Sequence, residues 1–139
     1  MKNKIFLALL ETQGAHAELA RMEFQKMNLS EGQPKILYVL LKEEGCVQKE
    51  LAGIAQVRPS TMTVLLDRME KQGYIYREET RISGGKRAYK IFLSDEGKSL
   101  AHQVNELVEK LEERSFKGFS DEERKKLLEM LGRVAENLM

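Results

Sequence analysis

The chain has 139 residues, 23 Lys plus Arg against 22 Asp plus Glu, a net charge of +1 and 42% hydrophobic residues. That length bounds one domain with room for an appended helical arm; the single cysteine excludes an intrachain disulfide framework; and no apolar run approaches the ~18 residues of a membrane span. A cytoplasmic chain with no membrane association is expected, because Glu11 and continuing helical periodicity follow the short apolar run after the N-terminal lysines, unlike a cleaved leader.

Residues 4–27 place Phe6, Leu9, Leu10, Gln13, Ala17, Ala20, Phe24 and Met27 at three- and four-residue intervals, which predicts one long helix with an apolar stripe. Ser30-Glu-Gly-Gln33 reads as a capping box opening a helix over 31–43, with Leu37, Leu40 and Leu41 inward. Helices over 48–55 and 59–72 follow, separated by the turn Gln56-Val57-Arg58, and Gly73 ends the second. Residues 74–79 and 88–93 are rich in aromatic and β-branched side chains and read as strands, reversed by Ser83-Gly84-Gly85. Ser94 caps a helix of about 22 residues, and Gly118 breaks the chain before a second capping box at Ser120–Glu123. Leu100, Val104, Leu107 and Leu111, then Leu127, Leu131, Val134 and Leu138, repeat a spacing suited to helix–helix association. Three striped helices exceed what one small core covers, so a homodimer is expected.

The near-zero net charge hides an asymmetry. Residues 1–47 are neutral, residues 48–90 carry +4 and residues 91–139 carry −3, and segment 80–90 holds four basic groups and no acid. Such a local excess suits a face that meets phosphate.

Helix, helix, short helix, turn, helix, strand, basic loop, strand is the order of a winged helix-turn-helix. The stretch from Gln48 to Glu79 resembles the multiple-antibiotic-resistance regulator (MarR) family, through KELA at 49–52, Pro59-Ser-Thr-Met-Thr63, Leu66-Asp-Arg-Met-Glu-Lys71 and Gly73-Tyr-Ile, and the strand end and cap at Leu93-Ser-Asp-Glu-Gly97 also fit. With its long flanking helices the resemblance covers essentially the whole chain. It implies a mostly α fold with a small β-hairpin wing, residues 1–28 and 94–139 forming dimerisation helices and residues 29–93 the DNA-binding lobe. It also implies a homodimeric transcription regulator, usually a repressor, that straddles a pseudo-palindromic operator and releases it on binding a small aromatic or phenolic molecule.

The residues support DNA binding independently. On the helix over 59–72, Met62, Leu65, Leu66 and Met69 share the face to be buried, leaving Ser60, Thr61, Thr63, Val64, Arg68 and Lys71 outside. Short hydroxyls at a helix start allow close approach to base edges and phosphates, and Thr63 and Val64 suit a thymine methyl. On the wing, Lys86 and Arg87 point to the minor groove and Arg81 to a phosphate.

Three departures from the family pattern weaken these expectations. Gly85 stands where an acid usually orients the wing arginine, which predicts looser wing insertion. Arg58 and Val47 replace side chains that cap helices, removing about 1 kcal/mol each, with Arg58 free to contact phosphate instead. Val64 replaces a frequent arginine and so removes a guanine reader.

Enzymatic motifs are missing: there is no phosphate-binding glycine loop, no H-E-x-x-H and no nucleophile elbow. His16 and His102 lack ligand spacing, so neither a metal nor a cofactor is expected. A cleft between the dimerisation helices and the winged lobe is the expected effector site, with His16, Phe24, Met27 and Tyr38 as candidate liners. Two other readings stay open: a winged-helix module that binds protein, and a DNA-binding redox sensor built on Cys46. Cys46 sits in an apolar slot at the start of a short strand, which favours an inert thiol.

Overall fold

The computed structural model describes residues 4–139; the first three residues of the expected dimerisation segment lie outside it. The chain runs α1 (Lys4–Gln25), α2 (Gln33–Lys42), α3 (Gln48–Ala55), α4 (Pro59–Lys71), β1 (Ile75–Arg81), a 3-10 turn (Ser83–Gly85), β2 (Arg87–Leu93), α5 (Asp95–Ser115) and α6 (Asp121–Leu138). It is a winged helix-turn-helix with long terminal helices, and no described helix is long and apolar enough to cross a membrane. Two compact units divide it, one ending at Leu107 and the other spanning Val108–Met139.

In the first unit the apolar faces of α2, α3 and α4 meet the base of the hairpin. Ile36, Leu37, Leu40, Leu51, Met62, Leu66, Met69 and Ile91 are fully buried, with Leu65, Ile75 and Leu93 nearly so. Burial on this scale stabilises by about 1.5–3 kcal/mol per large aliphatic side chain. It fixes which face of α4 stays outside.

The hairpin is longer than its aromatic and β-branched composition predicts. Register pairs run from Ile75↔Leu93 out to Thr80↔Ala88 and Arg81↔Arg87, because backbone pairing continues past the apolar residues. Gly84 and Gly85, at φ +81° and +74°, then reverse the chain. Tyr76 and Phe92 stack across the strands with centroids 5.3 Å apart. Residues 45–47 pair with the far edge of β2: Gly45 N donates to the Ile91 carbonyl at 2.8 Å and Ile91 N to the Cys46 carbonyl at 3.0 Å. The short strand expected at Cys46 is therefore a brief bridge, Val47↔Lys90.

Three expectations in α2 are corrected. The helix begins at Gln33, not 31, because Gly32 turns the chain at φ +92° and Pro34 fixes the first turn. Only half of the capping box forms: Ser30 N donates to Gln33 Oε1 at 3.3 Å, but the Gln33 amide uses the Ser30 backbone carbonyl. Leu41 is half-exposed, and Ile36 and Val39 take the inward positions beside Leu37 and Leu40.

At the helix entrances the local rules hold. Ser94 Oγ accepts from Gly97 N at 3.0 Å, and Ser120 and Glu123 form the full reciprocal box. In the second unit Phe116 meets Phe119 edge-on at 5.7 Å, and the Arg124 guanidinium lies 5.4 Å from the Phe116 ring centroid. The stripes of the terminal helices stay uncovered in the single chain: Phe6, Leu9 and Leu10 on α1, and Leu131, Val134 and Leu138 on α6, are all exposed.

Candidate nucleic-acid interface

The faces of α4 are those expected from its periodicity. Met62, Leu65, Leu66 and Met69 are buried, while Ser60, Thr61, Thr63, Val64, Arg68 and Lys71 are exposed, Val64 at 57%. Arg58 is the N-cap residue and Pro59 opens the first turn; neither Arg58 nor Val47, at the start of α3, makes a side-chain cap bond. The α4 amides at that end are thus directed outward with no capping oxygen over them, an arrangement that favours an anion.

Several side chains of this face have partners far away in sequence. Gln48 Nε2 donates to Thr63 Oγ1 at 3.2 Å, and Thr63 Oγ1 donates to the Pro59 carbonyl at 3.2 Å. Arg68 Nη1 donates to Ser30 Oγ at 3.3 Å, so Arg68 is exposed but tethered. Fully buried Gln33 donates to Gln72 Oε1 at 2.8 Å, a second link between the start of α2 and the end of α4.

Arg77, on β1, ties the wing to α4. Its Nη2 donates to Asp67 Oδ1 at 2.6 Å and to Glu70 Oε1 at 3.1 Å. Hydrogen bonding to Glu70 holds the Arg77 guanidinium above its ordinary range against the opposing effect of partial burial, with Asp67 adding to it. Charge-assisted, two-acceptor geometry of this kind is directional.

Arg81, Lys86 and Arg87 are all exposed on the wing. Arg81 and Arg87 stand opposite each other in the register, a like-charge pairing that disfavours the hairpin. Both are held elsewhere: Arg81 Nη1 donates to the Gly85 carbonyl at 3.0 Å, and Arg87 Nε meets Glu79 Oε1 at 2.6 Å. Gly85 offers no acid to the wing arginine, and Glu79 supplies one from the opposite strand.

Sequence reasoning missed Gln48 and Glu79. Glu79 carried a detectable signal, since Glu79 and Arg81 share a strand face by the two-residue period, but its meeting with Arg87 depends on register. Gln48 opens a helix adjoining α4, and nothing local assigns it a partner.

The remaining candidates are less connected. His16 is exposed on α1, whereas Phe24, Met27 and Tyr38 are half-buried, with Lys42 Nζ 5.6 Å from the Tyr38 ring centroid. Cys46 is half-buried; burial pushes its thiol up, and Glu50 and Glu43 add to the effect. Less thiolate means a slower nucleophile. Among the described residues no group of His, Cys, Asp and Glu is arranged to hold a metal ion.

The MarR family model matches residues 29–81, from the turn before α2 to the end of β1. The HTH-type transcriptional repressor YetL of Bacillus subtilis is 30% identical over 137 residues, covering 97% of this chain and 81% of that protein. This chain belongs to the MarR family. Two solved structures share its fold. A MarR family transcriptional regulator from Listeria monocytogenes complexed with 26mer DNA superposes with TM-score 0.84 at 24% identity, covering 99% of this chain and 90% of that one. NadR in complex with 4-hydroxyphenylacetate superposes with TM-score 0.80 at 23% identity, covering 95% and 92%. It is a MarR family transcriptional regulator with a DNA-binding winged helix.

Proposed function

We propose that the protein is a homodimeric, non-catalytic, cytoplasmic repressor, with α4 in the major groove and the wing tip in the minor groove of a pseudo-palindromic operator. Arg58, Ser60, Thr61, Thr63, Val64 and Arg68 are its recognition-helix contacts, and Arg81, Lys86 and Arg87 its wing contacts. The observation that carries this is the pairing of an exposed, hydroxyl-rich α4 face with a wing whose two arginines are already oriented, by Glu79 and by the Gly85 carbonyl. Residues 1–28 and 94–139 form the dimer, supported by the uncovered apolar stripes of α1 and α6. Two-fold symmetry then places the recognition helices about 34–36 Å apart.

A small aromatic or phenolic molecule releases the DNA from a cleft lined by His16, Phe24, Met27 and Tyr38; the complex of NadR with 4-hydroxyphenylacetate supports that ligand class. The repressor assignment draws support from the name of YetL.

Binding of a selected duplex, followed by fluorescence anisotropy across a salt series, tests the reading. Affinity should fall steeply with salt, since each neutralised phosphate contributes about −0.9 to the log–log slope. Thr63→Ala and Arg87→Ala should each weaken binding. Unchanged affinity for both at physiological salt overturns the site, and a monomer by sedimentation overturns the dimer.

A further inference from the structure

Gln48 opens α3, and its side-chain amide reaches across to α4, where Nε2 donates to Thr63 Oγ1 at 3.2 Å. Thr63 donates to the Pro59 carbonyl one turn back in its own helix, also at 3.2 Å. A hydroxyl has one proton and two lone pairs. With that proton committed to Pro59, the group facing Thr63 has to be a donor, so the Gln48 nitrogen turns inward and its Oε1 turns away. A free glutamine presents donor and acceptor alike; a pinned one presents a single polarity. Thr63 and Val64 are both exposed on α4.

We propose that Gln48 is a base-reading residue of the recognition surface, held by Thr63, whose Oε1 accepts a hydrogen bond from the exocyclic amino group of an adenine or a cytosine in the major groove. The inference rests on the reading of α4 as the recognition helix. In that groove the amino groups of adenine and cytosine are the donors, while guanine N7 and O6 and thymine O4 are acceptors. An oriented carbonyl oxygen therefore favours the first two bases and disfavours the others, opposite to the preference of an arginine. Fixing the amide before DNA arrives also removes part of the ordering cost of binding. Thr63 then acts as a positioning residue as well as a methyl contact: its hydroxyl holds Gln48.

Duplexes selected from a randomised pool by the intact wild-type protein give the base preference at each position, and the enriched base distinguishes adenine from cytosine. The expected result is one position per half-site at which deleting the amino group, with purine for adenine or 2-pyrimidinone for cytosine, weakens wild-type binding about tenfold. Gln48→Ala should bind the intact and amino-deleted duplexes equally. Thr63→Val, which removes the hydroxyl and keeps the shape, should lose the same discrimination; Thr63→Ser, which keeps the hydroxyl, should retain it. Circular dichroism melts of each variant verify the fold. Discrimination undiminished in Gln48→Ala overturns the proposal while leaving the DNA-binding reading intact, and undiminished discrimination in Thr63→Val overturns the role of the hydroxyl. Absence of salt-dependent binding by the wild type to any duplex overturns the reading of α4 and this inference with it.

Discussion

Glu79 and Arg87 meet at 2.6 Å across the hairpin, on the diagonal of one sheet face, with Arg81 directly opposite Arg87. The carboxylate pairs with one of two arginines that face each other in the register and holds it in a fixed direction. Both side chains of the pair are about half exposed or more, so its contribution to folding is small, of the order of 0–1 kcal/mol. Its consequence lies in orientation.

Glu79→Gln should therefore leave the melting temperature within a degree or two, while weakening operator binding several-fold and loosening preference at the wing-contacted bases. Paired melts and anisotropy titrations measure the two effects. A large fall in melting temperature with unchanged affinity would reverse the assignment.

Arg77 gives the opposite pattern. Its side chain is only 18% exposed and serves both Asp67 and Glu70, joining the wing to α4. Arg77→Met keeps much of the apolar stem and removes the clamp. Bonds to charged groups are worth about 1.5–3 kcal/mol, discounted for carboxylates that face water, so a loss of about 1–2 kcal/mol by chemical denaturation is expected. High salt should narrow the gap between wild type and variant, because the pair is partly screened.

Gly97 and Gly53 should respond to alanine with opposite signs. A Cβ on Gly97 would lie 1.9 Å from the Tyr74 carbonyl oxygen, which is a backbone atom that cannot swing aside. Gly97→Ala should cost at least ~2 kcal/mol, in the range of overpacked interiors. A Cβ on Gly53, exposed within α3, meets nothing within 4 Å. Gly53→Ala should stabilise by up to about 1 kcal/mol through helix propensity and reduced unfolded-state entropy. Thermal melts of the two variants separate these signs directly.

Cys46 should alkylate more slowly in the native protein than in the denatured chain, with the rate rising as pH increases. Burial raises the thiol, so the native state retains its proton where the unfolded chain has lost it. The sign for stability follows: any contribution from this group is fully present below the unfolded thiol value and is lost as pH rises from there through the raised native value. Fast native alkylation near neutral pH would restore a redox role.

Much of the fold was legible because its determinants are local. The two faces of α4, the span of α3, the stop at Gly73 and the Ser120 box follow from helical period and capping chemistry within a few residues. The residue types on the exposed face of α4 were legible for the same reason. Their partners were not. Ser30 was read as a cap for Gln33, yet its hydroxyl accepts from Arg68, 38 positions away. The Glu79–Arg87 pair required the strand register, and Gln48–Thr63 the packing of one helix on another. A sequence pattern says which side a residue faces, whereas the atom it meets there is settled by tertiary geometry.

The turn between α1 and α2 has a practical consequence for redesign. Ser30 holds Arg68, Gln33 holds Gln72, and a side chain at Gly32 would collide with Leu65 Cδ1 at 2.7 Å. An α4 transplanted from another regulator would arrive without the turn that fits it, so residues 30–33 have to be exchanged together with 59–72 as a unit.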